Sequence, residues 1–236
     1  MLIDLHSHSK LSVCCKIDIK GALLVAKERG MDGFVLTNHY DIIYLESDDQ
    51  LEFAQRYINE FYHAKEVADE LGMKIFFGVE ITMSKYAGSH VLLYGVEPEF
   101  LLEYPDLYYY ELSDLYELAH KHNAIIIQAH PFRHNTNFLL DLNYLDGIEA
   151  NCHTIFEGPH LELVSQIASD NKKILTCGGD YHHDSPRPKC GVYFPDDLKD
   201  VKDLVNYLAN TNKIKLCVQL NKQNDSVIDY EFFKGY

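Results

Sequence analysis

The sequence contains no run approaching the roughly 20 apolar residues that a membrane-spanning helix requires, so no membrane association is expected. Its start, Met1-Leu2-Ile3-Asp4-Leu5-His6, lacks a basic region followed by an apolar stretch, so no signal peptide and a cytoplasmic location are expected. No CxxC occurs among the six cysteines, Cys14, Cys15, Cys152, Cys177, Cys190 and Cys217, which removes zinc ribbons and thioredoxin-type redox motifs. A reducing compartment is the simpler reading. There is no internal repeat, low-complexity tract or proline-rich linker, so one domain is expected over all 236 residues. Basic residues are scarce, with 21 Lys and Arg against 36 Asp and Glu for a formal net charge of −15. Phosphate backbones need a basic surface, so general nucleic-acid binding is not expected. A small phosphorylated substrate remains compatible, because bound cations make one pocket positive on an acidic molecule. Oligomeric state leaves no mark.

What is present fits a globular chain, 47% hydrophobic and 24% charged. Short β-branched runs alternate with stretches of helical period. Strands are expected at Leu2–His8, Gly33–His39, Lys74–Thr82, His90–Val96, Ala124–His130, Gly147–Cys152, Lys173–Asp180 and Lys213–Leu220. Helices are expected at Ile19–Arg29, Leu51–Leu71, Ser113–His122, Leu161–Asn171 and Leu198–Asn210, with Ser113 and Asp197 as N-caps. Such alternation predicts an α/β fold with mostly parallel strands, either a closed barrel or an open doubly wound sheet.

Thirteen histidines are many for this length, and several fall at equivalent places. His6 and His8 end the first strand, His39 the second, and Glu80 lies near the end of the third. His130 ends the fifth, and Asp180 and His182 end the seventh. His90 is the exception, since it opens its strand; it fits only if that strand runs antiparallel or the residue lies on a loop above the barrel. The C-terminal strand ends of a parallel barrel share one face, where active sites form. His6 with His8, and Asp180 with His182, are i and i+2 pairs that project to one side. Neutral imidazole and carboxylate suit zinc, manganese or iron. Eight such residues exceed the needs of one ion, so two or three divalent ions are expected, with Glu80 as a bridge. Water on such an ion has its pKa lowered from about 15.7 to roughly 7, supplying hydroxide at neutral pH.

Together these residues resemble the polymerase-and-histidinol-phosphatase (PHP) family of metal-dependent phosphoesterases. The resemblance rests on Asp4-Leu5-His6-Ser7-His8-Ser9, Thr37-Asn38-His39, Gly78-Val79-Glu80, Ala129-His130-Pro131 and Gly179-Asp180-Tyr181-His182. The segment Asp146-Gly147-Ile148-Glu149-Ala150-Asn151 is also similar to one common in that family. It implies a distorted (β/α)7 TIM-like barrel of PHP type holding up to three divalent ions. By the same resemblance His6, His8, Glu80 and Asp180 serve one ion, Glu80, His90 and His130 a second, and His39 with His182 a third. The activity implied is hydrolysis of a phosphate ester, often a small phosphomonoester. Departures are Asn38, where the family usually has aspartate, and Val13 and Cys14, where many members carry aspartate or histidine. Cys14 is read as a ligand or as a small buried residue, with a lean to the latter.

Arg133 lies three residues after His130 and is the candidate substrate contact, since guanidinium binds phosphate bidentately. Arg187 and Lys10 are weaker candidates. His63, His120 and His122 are expected on solvent-facing helix positions and His160 and His183 on loops, while His153 has a lesser claim to the pocket. Two other readings compete with the phosphoesterase: an amidohydrolase-type metal hydrolase and a non-catalytic metal-stabilised module. The tyrosine-rich Tyr104–Tyr110 is expected to be a packed surface loop.

Overall fold

The computed structural model describes residues 1–44, 49–133, 137–153, 158–182, 186–220 and 226–235. Strand β1 (Leu2–Ser7) leads through α1 (Ile19–Glu28) to β2 (Gly33–Leu36) and the two-residue β3 (His39–Tyr40). Helix α2 (Gln50–Leu71) returns the chain to β4 (Lys74–Met83), which turns directly into β5 (Ser89–Tyr94). Then follow α3 (Phe100–Glu103), α4 (Leu112–Lys121), β6 (Ile125–Gln128), β7 (Gly147–Asn151), α5 (Leu161–Asp170) and β8 (Ile174–Gly178). The chain ends in β9 (Gly191–Tyr193), α6 (Val201–Asn210), β10 (Lys213–Gln219) and β11 (Val227–Phe233).

Hydrogen bonding orders the strands β11-β10-β9-β1-β2-β4-β5-β6-β7-β8, with β3 pairing to β4. The stretch from β1 to β8 curls into a nearly closed barrel, its ends meeting in a parallel bridge between Ser7 and Tyr181. Fully buried Tyr94 on β5 donates its hydroxyl to the Leu5 carbonyl on β1 at 2.7 Å, a bond between strands that are not neighbours in the sheet. Most ring pairs are parallel, but β5 is antiparallel to both β4 and β6. This is the distorted TIM-like barrel.

The helices follow from local chemistry. In α1 the Asp18 carboxylate accepts from the Gly21 N–H, and Ile19, Ala22, Leu23 and Ala26 form the buried stripe. Asp49 caps α2, and Gly72 ends it in the left-handed conformation that glycine adopts without strain. Two expected caps are displaced. Helix α4 begins at Leu112, because that buried side chain already belongs to its apolar face, and Ser113 lies within the helix. Helix α6 is capped by Asp200, whose carboxylate accepts from Lys202 and Asp203, rather than by Asp197. Strands β9 and β11 were not expected: one has three residues, and the other leaves most of its side chains exposed or half-buried. The tyrosine-rich segment is packed, as expected: Leu107 and Tyr108 are fully buried against the cluster around Val79, Val91 and Tyr40, while Tyr109 stays exposed. Among the described residues, no helix is long and apolar enough to cross a membrane.

Candidate metal centre

The exception among the strands resolves the exception among the residues. Because β5 runs antiparallel, its first residues lie at the same end of the ring as the last residues of β4. His90 therefore pairs in register with Thr82 and reaches Glu80, its Nδ1 lying 2.8 Å from Glu80 Oε1. Strand β1 delivers His6, with His8 just beyond its end, β3 delivers His39, and the ends of β6 and β8 deliver His130 and Asp180. Both His130 and Asp180 hold positive φ, 31° and 47°, a conformation costing non-glycine residues about 1–3 kcal/mol and common at functional sites.

All eight sequence-derived candidates come together. His6, His8, Glu80 and Asp180 place one ligand atom each within 4.8 Å of one another, as do His39, Glu80 and His90, and also His8, His39 and His182. His130 Nε2 lies 3.1 Å from Glu80 Oε1, and His39 Nδ1 lies 2.7 Å from Glu80 Oε2. Glu80, fully buried, is thus the hub. Burial pushes its carboxyl up, but His39, His6 and His90 outweigh that and hold it well below the usual range. The histidines divide. Burial and the neighbouring His182 and His39 keep His8 well below its ordinary value, and burial with Arg133 brings His130 to about 4. Burial also lowers His39, yet Glu80 and Cys14 more than compensate and raise it to about 10.

Sequence reasoning assigned no role to Glu149 or Ser12, which aim two of these rings. The Glu149 carboxylate accepts from His6 Nδ1 at 3.0 Å and from the His130 backbone N–H at 2.9 Å, leaving His6 Nε2 toward the centre. Ser12 holds His8 Nδ1 at 3.2 Å, so that Nε2 meets Asp180 Oδ1 at 3.0 Å. Asn38, the departure from the family pattern, accepts from the Ser9 N–H and the Ser12 hydroxyl and so steadies the loop after β1. The signal for Glu149 was its i, i+2 spacing from Asn151, which places both on one face of β7. His153 is buried and groups with Asp180 and His182. Cys14 is exposed as a residue, but its thiol engages His182 and His39; partial burial raises it, and those hydrogen bonds bring it down to about 6.

Arg133 is directed inward, its Nη2 2.5 Å from Asp180 Oδ2 and 2.7 Å from Asn151 Oδ1. Arg187 is not a substrate contact: it is 1% exposed and bound to Asp4 and Ser7 at 2.8 and 3.1 Å. Lys10 is exposed. His63 and His120 face solvent as expected, the latter beside Asp146, whereas His122 packs half-buried on Phe100 and Tyr104. His160 precedes α5 on a loop, and His183 lies outside the described residues.

The donor set fits divalent cations. Among the described residues, buried His6 Nε2 and Glu80 Oε2 find no hydrogen-bond partner of good geometry, although charged atoms crowd around them. Buried polar atoms seldom go unsatisfied, and an ion between them would satisfy both.

Comparison with solved structures shows the same fold at low identity. A two-domain protein from Bacteroides vulgatus, containing a predicted PHP-like metal-dependent phosphoesterase, aligns with TM-score 0.66 and 19% identity. The alignment covers 92% of this chain and 64% of that one, so this chain spans under two thirds of that protein. A structure from Bifidobacterium adolescentis, assigned as a metal-dependent phosphoesterase, aligns with TM-score 0.56 and 15% identity over 86% of this chain and 94% of that one. An amidohydrolase from Chromobacterium violaceum, holding sulfate and no metal, aligns with TM-score 0.59 and 13% identity over 87% and 96%. Comparison with curated protein sequences returned no match. The PHP domain family model matches residues 4–155, which carry six of the eight candidate ligands. With more than half its length matched, the chain belongs to the PHP domain family.

Proposed function

We propose that this chain hydrolyses a phosphate ester, most simply a small phosphomonoester, at a centre of two or three divalent ions. The observation that carries the reading is the convergence of eight imidazole and carboxylate ligands around buried Glu80, with a guanidinium at their edge. His6, His8, Glu80 and Asp180 would hold one ion, Glu80, His90 and His130 a second, and His39 with His182 a third. Zinc, manganese and iron suit these donors. Such ions supply Lewis acidity toward phosphoryl oxygens and acidify water toward neutral pH. The protein's part is positional. Glu149 and Ser12 fix the ring orientations of His6 and His8, and Asp180 is kept ionised by Arg133 and the neighbouring imidazoles despite its burial. Arg133, paired with Asp180 at the edge of the centre, would bind a phosphoryl oxygen.

The amidohydrolase reading draws on the Chromobacterium violaceum fold, whose bound sulfate is itself a phosphate-like anion. Elemental analysis followed by parallel screens of phosphomonoesters and amides separates the two. We expect zinc, manganese or iron in the protein and turnover of phosphomonoesters, with activity falling at least 100-fold in His8→Ala and Asp180→Ala. Metal-replete protein that cleaves amides alone would establish the other reading. Metal-replete protein inactive on both panels would leave a metal-stabilised module.

A further inference from the structure

We propose that Cys152, Cys177 and Cys190 form a second metal site, for one thiophilic divalent cation of the zinc type. Three separate segments bring these residues together: the residue after β7, the penultimate residue of β8 and the residue before β9. The three sulfurs lie within 4.8 Å of one another, with Cys152 and Cys177 Sγ 3.5 Å apart. A metal–sulfur bond of about 2.3 Å places three sulfurs about 4 Å apart around a shared ion. The cluster therefore needs little movement to close on a cation.

It is separate from the histidine centre by the alternation of the strands. Glu149 and Asn151 on β7, and Gly178 on β8, face the centre; Gly178 lies directly against Glu149 and His6. Cys152 and Cys177 occupy the intervening positions and face the other way. Cys177 Sγ points instead toward β10, where it donates to the Cys217 carbonyl oxygen at 3.3 Å.

Buried cysteines often serve merely as small apolar residues, and all three here are at most 3% exposed. What distinguishes this cluster is its number: three sulfurs carried by separate segments of the chain converge on one point, where a lone buried cysteine would merely pack. The three thiols respond to burial differently: hydrogen bonds from its neighbours bring Cys152 down to about 5, whereas burial holds Cys177 and Cys190 well above the ordinary thiol value, so a cation has to displace their protons on binding. Three thiolates formed in this way in a dry setting select thiophilic ions over the hard cations that carboxylates take.

Cadmium is the probe, since its NMR shift and its near-ultraviolet charge-transfer band both report the number of sulfur ligands. The full chain carrying Cys14→Ser, which removes the thiol at the histidine centre, is loaded with Cd(II) during expression and again after purification under reducing conditions. We expect one cadmium in a three-sulfur environment, distinct from any bound by nitrogen and oxygen. That signal should vanish in Cys190→Ala and in Cys177→Ser while nitrogen- and oxygen-bound cadmium persists. Should Cys190→Ala fail to fold, Cys190→Ser preserves the side-chain size and gives the same reading. Absence of a sulfur-rich signal by both loading routes, or its survival in the variants, overturns the assignment. Because the nitrogen- and oxygen-bound cadmium is read independently, failure here leaves the histidine centre untouched.

Discussion

Glu149 illustrates how a residue outside the ligand set governs it. It is 1% exposed, and burial alone would raise its carboxyl, but His6 and His130 draw it below the usual range. An ionised Glu149 accepts from His6 Nδ1, fixes the tautomer with the lone pair on Nε2, and makes that nitrogen a better ligand. Glu149→Gln keeps the shape and removes the charge. We expect metal affinity to fall about 10–100-fold, measured by competition with a chelator, with the circular dichroism spectrum unchanged. Wild-type affinity in that variant would show that the contact only packs the ring. Residue chemistry was legible in the sequence for the convergence of the candidate ligands, because imidazoles and acids recurred at strand ends. It was not legible for Glu149, Ser12 or Arg187, whose importance lies in partners 143, 4 and 183 positions away. A buried Arg187 and an exposed one look alike until the chain folds.

At the scale of the element, the strands were readable and their directions were not. Apolar runs marked the seven strands of the ring, but periodicity carries no polarity, so the antiparallel course of β5 was foreshadowed by His90 standing at the wrong end and by the linker between Thr82 and His90, too short for a parallel crossover. Strand β8 shows how tightly one element can be constrained. A Cβ built on Gly178 would lie 2.4 Å from both Glu149 Oε1 and His6 Cβ, closer than real contacts allow. Neither neighbour is free to yield, since both are buried and bound to each other. Gly178→Ala should cost about 1–3 kcal/mol, the usual range for overpacking, and should reduce bound metal because His6 is the group displaced. Thermal melting and elemental analysis read the two effects together. An unchanged melting temperature with full metal content would mean the strand can shift without cost.

At the scale of the molecule, the barrel depends on an ion pair with no access to water. Arg187 joins Asp4 of β1 at 2.8 Å, lies 3.4 Å from the Ala22 carbonyl of α1, and stacks between Phe34 of β2 and Tyr181 beyond β8, each ring centre 4.9 Å away. Removing the cation strands Asp4 in the interior, so Arg187→Met should destabilise the fold by about 3–5 kcal/mol in urea denaturation. Asp4→Asn in the same background should recover part of that loss, because the uncompensated charge is then gone. A single variant as stable as the parent would show that Asp4 sheds its charge at no expense. The ring's closure has a further consequence. Strands β1 and β8 meet through one bridge and the N–H groups of Gly179 and Asp180, yet four of the eight candidate ligands stand on the two sides of that join: His6, His8, Asp180 and His182. A cation gripped across it would rivet the cylinder shut. Filling the centre and sealing the cylinder would then be one equilibrium, and starving the protein of metal would also unfasten it.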